Sequence, residues 1–208
     1  MIALIVKVLF WSVFATILAC LEIESEGKYG WAHKAPTWYR TTGFFGKLYG
    51  MIMGGKPLTG YHLFMFLFTF MIFHVPFFSG VVWSAEGELL ACAMYFAWCT
   101  LWDYIWFVLN PAYAGRFTRN NVWWHSGSPW IFGLFPLDYL SGVTLSLGLA
   151  GAAAWHSGEA QLFVDHLAVL IGFGAYVALM HLCAPAYRYW YGYMRLSDDR
   201  DKVDIVYP

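Results

Sequence analysis

Apolar residues fall into five long blocks along this chain, separated by polar stretches rich in aromatics. The blocks cover about residues 2–21, 61–82, 89–110, 138–155 and 161–184. At 1.5 Å per helical residue, each can cross a hydrocarbon core about 30 Å thick. The pattern predicts an all-α, polytopic membrane protein: about five transmembrane helices with interfacial loop segments, in a single domain over 1–208. The apolar piece 43–53 is too short and glycine-rich to span, and fits a helix lying in the membrane surface. Residues 196–208 are charged and read as a soluble tail. The fourth block is rich in small residues, from Gly142 through Ser146, Gly148 and Gly151 to Ala154, which suits close packing in the middle of a bundle.

Polar residues interrupt these blocks at particular places. The first ends in Glu22-Ile-Glu-Ser-Glu26, where Glu22 and Glu26 stack one helical turn apart and Glu24 points elsewhere. Lys7, the one charge inside it, is placed to snorkel to the nearer interface. His62 stands at the entrance to the second block and His74 lies deep inside, roughly 120° apart on a helix. The third block carries Asp103, a lone carboxylate where lipid-facing helices carry none. Cys99, Asp103, Trp106 and Asn110 share its face, and Pro111 ends it. An ionisable residue at membrane depth costs several kcal/mol unless partnered, which makes it a candidate functional residue. Asn110 is a candidate hydrogen-bond partner for Asp103.

Composition agrees with the pattern. The chain is 60% hydrophobic and 12% charged, with 21% aromatics and a net charge of -1, which gives no sign of a nucleic-acid partner. Cys20, Cys92, Cys99 and Cys183 all lie in apolar runs without a CxxC, so they read as small packing residues and not a disulfide framework.

Lysine and arginine partition between alternate loops. The segment 22–60 carries five, 83–88 none, 111–137 two, 156–160 none and 185–208 four. The positive-inside rule then places the first and third loops and the C-terminus in the cytoplasm, with the N-terminus outside, as expected in a bacterial inner membrane. On that orientation Glu22, Glu26, His62, Asp103, His125 and Asp138 fall in one leaflet, although they are scattered along the sequence.

Carboxylates and imidazoles converging from several helices form a ligand set for Zn, Fe or Mn. The metal candidates are Glu22, Glu26, His62, Asp103 and His125, and the catalytic candidates are Asp103 and Asp138. The chain has no HExxH, ExxH or HxxxH pair, which excludes the histidine boxes of membrane desaturases and alkane hydroxylases. A chemistry without metal is also open: Trp102, Trp106, Trp123 and Trp124 around Asp103 would form an aromatic pocket with a buried acid, suited to a polyprenyl or sterol-like lipid. Haem is a further alternative cofactor, with His74 and His166 as the pair to test. No CxxCH is present for covalent attachment, and no haem is expected.

Leu21–Ala32 (LEIESEGKYGWA), Gly55–His62 (GKPLTGYH) and Trp102–Pro111 (WDYIWFVLNP) resemble segments of a family of uncharacterised bacterial integral-membrane proteins. The resemblance covers roughly the first two-thirds of the chain and implies no activity. The leading reading is a small membrane enzyme with a His/carboxylate, metal-binding site at the cytoplasmic leaflet and a membrane lipid or hydrophobic small molecule as substrate. The alternative is a non-catalytic accessory or cofactor-binding subunit, working with a membrane-protein partner or as a homo-oligomer. A transporter ranks third, because the chain is short and lacks internal repeats.

Overall fold

In the computed structural model, which describes residues 2–114 and 117–197, the chain is a helical bundle with five helices long and apolar enough to cross a membrane. These are α1 (Ile2–Glu26), α3 (Gly60–Phe78), α4 (Ala85–Leu109), α5 (Leu137–Ser157) and α6 (Ala160–Leu196). A short helix, α2 (Gly43–Ile52), lies between α1 and α3. It exposes Phe44, Phe45, Met51 and Ile52, as an interfacial helix does. The charged tail beyond residue 197 lies outside the described residues.

Helix ends follow local chemistry. Thr59 caps α3 by accepting the backbone N–H of His62, and Ser84 caps α4 by accepting that of Gly87. α1 continues through the acidic segment to Glu26, so Glu22 and Glu26 are part of the helix that spans the membrane. α3 stops at Phe78, ahead of the expected 82, two residues past Pro76 and just before Gly80 at φ +104°. α6 differs most from the expectation of a span ending near 184: it passes through Pro185 and runs 37 residues to Leu196. The Tyr/Arg-rich belt therefore stays helical, and Arg195 reaches Glu24 on α1 at 2.8 Å. Glu24 lies on the opposite face of α1 from Glu22 and Glu26, as its helical phase requires.

The centre of the bundle is α4, with 67% of its apolar window buried against 17–22% in the other four spans. Its bulky side chains fill the space between neighbours: Trp98 stacks on Phe14 of α1 and donates to the carbonyl of Trp11 at 2.8 Å. α5, expected in the middle, is instead a flank. Its small residues do permit close approach, with Gly142 against Thr100 of α4 and Ser146 fully buried, but Leu140 on its other side faces outward. Small residues mark one tight face and do not count the neighbours a helix has.

Two loops close one end of the bundle. The first pairs Tyr39–Arg40 with Leu58–Thr59 as an antiparallel ribbon. The second carries a 3-10 turn, Trp123–His125, and a ribbon of Trp130–Ile131 with Phe135–Pro136. They are tied together by hydrogen bonds from Asn110 Nδ2 to the Gly27 carbonyl (2.8 Å), Tyr113 OH to the Lys28 carbonyl (2.7 Å) and Trp123 Nε1 to the Tyr29 carbonyl (2.8 Å).

Candidate functional site

Beneath these loops lies a cavity of about 430 Å³. Its wall includes Glu22 and Glu26 of α1, His62 of α3, Asp103 of α4, His125 of the second loop and Asp138 of α5. Alternating spans explain the convergence: the C-terminal ends of α1 and α4 and the N-terminal ends of α3 and α5 all meet at one end of the bundle.

Glu22, Glu26 and His62 form the first group. All three are buried, and they offer ligand atoms that lie within 4.8 Å of one another. Glu26 Oε1 accepts the backbone N–H of Ala32 at 2.5 Å. That bond draws the chain into a left-handed turn at Trp31 and Ala32 (φ 45° and 50°), a conformation uncommon outside glycine. The turn lays the Trp31 ring flat on His62, with centroids 4.1 Å apart. His62 Nδ1 is engaged by Thr59 Oγ1 at 2.9 Å, and Nε2 stands 3.5 Å from Glu26 Oε1.

Asp103, His125 and Asp138 form the second group. Asp138 is fully engaged: Oδ2 accepts from Lys56 Nζ (2.8 Å) and pairs with His125 Nδ1 (2.9 Å), and Oδ1 accepts from Ser128 (2.7 Å). His125 is thereby held with Nε2 3.5 Å from Asp103 Oδ2. Tyr139 donates a short hydrogen bond to Asp103. His125 is only 3% exposed, yet its Nε2 has no hydrogen-bond partner among the described residues, and neither has Trp106 Nε1. Burial opposes charging the His125 ring, but the carboxylates of Asp103 and Asp138 outweigh it and hold its pKa above the ordinary imidazole value.

The rest of the wall is aromatic and apolar, with Trp31, Trp102, Trp106 and Trp124 around the polar groups. Trp123, grouped with them in the sequence, lies outside: its indole bonds Tyr29 and its ring is 41% exposed. Asn110 does not reach Asp103. Two turns along a helix is roughly 10 Å, and Asn110 instead ties Gly27 and the amide of Ala112. Lys56, Tyr139 and Trp31 belong to the site and were not evident in the sequence. In the sequence Lys56 is one of five cations in the segment 22–60, and nothing local marks Tyr139 or Trp31.

The remaining histidines are engaged elsewhere. His74, at the other end of the bundle, bonds the Phe70 carbonyl through Nδ1 (2.7 Å) and Glu88 through Nε2 (2.9 Å). His166 Nε2 bonds Ser146 at 2.7 Å. The four cysteines are free thiols, and Cys183 is exposed on the outer face of α6.

Comparison with protein-family models, curated proteins and solved structures finds no match. Lys56 and the His125 ring offset Asp103 and Asp138, whereas Glu22 and Glu26 have only the His62 ring beside them among the described residues. Uncompensated carboxylates buried in a pocket otherwise walled by rings and aliphatic side chains are strongly unfavourable. A cation bound among them removes the cost, and the oxygen and imidazole donors suit Zn, Fe or Mn.

Proposed function

We propose that this chain is a metal-dependent integral-membrane enzyme acting on a hydrophobic, lipid-like substrate at the cytoplasmic leaflet of a bacterial inner membrane. The observation that carries the reading is the buried Glu22–Glu26–His62 group opening onto a cavity with apolar and aromatic walls. Those three residues would hold the ion, and a bound divalent metal supplies Lewis-acid or redox chemistry. Asp138, fixed by Lys56 and Ser128, positions the His125 ring. Asp103, held by Tyr139, presents its carboxylate to the cavity.

Access supports a substrate dissolved in the bilayer. The cavity's apolar rim includes Ile52 of α2, Phe66 of α3, Phe96 of α4 and Leu145 of α5. Ile52 and Leu145 also lie on the outer surface of the bundle, at 72% and 45% exposure. A chain in the lipid can reach the polar groups along this rim without crossing the loops. The volume falls within the range of about 300–1,000 Å³ typical of small-molecule sites, so a head group with the first part of its chain fits inside.

Conversion of a bacterial lipid extract, followed by mass spectrometry, tests the reading. Protein loaded in turn with Zn, Fe(II) and Mn should form a new product with one of them, and a chelator should abolish it. A product that persists undiminished in chelator removes the metal from the chemistry.

The charge partition between loops supports an N-out, C-in orientation. A C-terminal reporter active only in the periplasm should therefore stay silent. An active reporter would move the cavity to the opposite leaflet.

A further inference from the structure

The two polar groups in the cavity are built alike. In each, an imidazole Nδ1 is engaged by a fixed neighbour at 2.9 Å: Thr59 Oγ1 for His62 and Asp138 Oδ2 for His125. In each, Nε2 then stands 3.5 Å from a carboxylate oxygen, Glu26 Oε1 in one and Asp103 Oδ2 in the other. A direct hydrogen bond between an imidazolium and a carboxylate closes to about 2.7–2.9 Å. Two donors on one metal stand farther apart: bonds of about 2.1 Å at a tetrahedral centre separate them by about 3.4 Å. Both pairs have the wider spacing. The wider spacing leaves His125 Nε2 buried on the cavity wall without a hydrogen-bond partner among the described residues.

We infer that the cavity is a two-metal centre, with one divalent ion on Glu22, Glu26 and His62 and a second on Asp103 and His125. This rests on the metal-dependent reading above and extends it. Asp138 is then not a ligand but the carboxylate that orients a ligating histidine, the arrangement that fixes ring tautomer and strengthens the donor. The ligands would then be three carboxylates and two imidazoles, drawn from α1, α3, α4 and the Trp123–His125 turn; two-metal centres in helical bundles likewise take carboxylates and histidines from several facing elements.

The second ion would take only two ligands from the protein, Asp103 and His125, so its open positions would be filled by substrate or water. The class of substrate this favours is a lipid bearing an oxyanion, so inorganic phosphate should inhibit turnover where a neutral short-chain alcohol does not.

The test is titration of the metal-free, full-length chain in detergent with Mn(II), and with Zn(II) in parallel, read by equilibrium dialysis and, for Mn(II), by electron paramagnetic resonance. Two ions per chain with an exchange-coupled Mn signal are expected. Asp103→Ala and His125→Ala should each retain one ion with an uncoupled six-line signal, and Asp138→Asn should weaken the second ion by about 10–100-fold. The wild-type stoichiometry and signal decide even if a variant fails to fold. One ion per wild-type chain overturns the two-metal centre but leaves the metal-dependent reading standing. Two ions without coupling, or two ions retained in Asp103→Ala, place the second elsewhere, for instance at His74, Glu88 and Cys92 at the other end of the bundle, and also overturn it. Failure to bind either metal removes both readings.

Discussion

Glu22→Gln combined with Glu26→Gln will cut metal-dependent turnover by about 10³-fold or more while the chain still inserts and folds. Lewis-acid stabilisation by a bound ion is worth several kcal/mol, and each 1.36 kcal/mol is a factor of ten in rate. The folding half of the expectation comes from the surroundings. Both side chains are buried, at 7% and 6% exposure. Glu22 and Glu26 sit one turn apart on α1, and an amide costs less to bury there than a carboxylate. The glutamine oxygen at position 26 can still accept the Ala32 amide that now bonds Glu26. The metal-free double variant should therefore melt no lower than the metal-free wild type. A purely structural role for the pair predicts the reverse, a lower melting temperature with no metal to lose. Thermal unfolding in detergent, with and without chelator, separates the two.

Gly30→Ala will lower the melting temperature by roughly 5–15 °C, a large effect for one methyl group. Two costs add. Gly30 has φ +61°, where an L residue loses about 1–2 kcal/mol. An added Cβ would also overlap the Trp124 ring, and overpacking of this kind costs about 1–3 kcal/mol. In a chain of this size each kcal/mol moves the transition by about 2–4 °C. Trp124 cannot simply yield, because it stacks on Phe107 (5.6 Å, 14°) and meets Trp106 edge-on. Its displacement would open the cavity roof beside His125, so metal binding should weaken as well. Gly27→Ala is the matched control: its φ is +59°, but no atom lies within 4 Å of the added carbon. Only the backbone cost applies there. Equal destabilisation by the two substitutions would show that the Trp124 contact carries no weight.

Much of the architecture was legible because a bilayer reduces the possibilities. Five apolar blocks of sufficient length are five helices, since a spanning helix must satisfy its own backbone hydrogen bonds. Alternation then forces the end of the first block, the start of the second, the end of the third and the start of the fourth to one end of the bundle. That is why Glu22, Glu26, His62, Asp103 and Asp138 could be grouped from sequence positions alone, and why the cavity gathers them. His125 comes with them because its loop joins the end of the third block to the start of the fourth.

What was not legible depends on lateral packing and on irregular backbone. Block lengths do not say which helix is central, and the small-residue pattern of α5 suggested a middle position that α4 occupies. Pro185 reads as a stop, but a proline in a long helix is tolerated when neighbouring structure accommodates the freed carbonyl. Lys56 reaches Asp138 only because the loop ahead of α3 folds back as a ribbon, a path set by contacts such as Trp31 Nε1 to the Pro57 carbonyl at 2.9 Å. No local periodicity encodes that path. Asn110 was paired with Asp103 on helical phase alone, which gives the shared face but not the distance along it.

The claim at the centre of this account is that the cavity carboxylates and histidines hold metal. Elemental analysis of chain purified in detergent without chelator, beside the Glu22→Gln/Glu26→Gln double variant purified identically, tests it most directly. At least one equivalent of Zn, Fe or Mn is expected in the wild-type protein, with a loss of one equivalent in the double variant. Metal-free wild-type protein that also fails to take up any of the three on addition would contradict it, as would equal metal content in the two proteins.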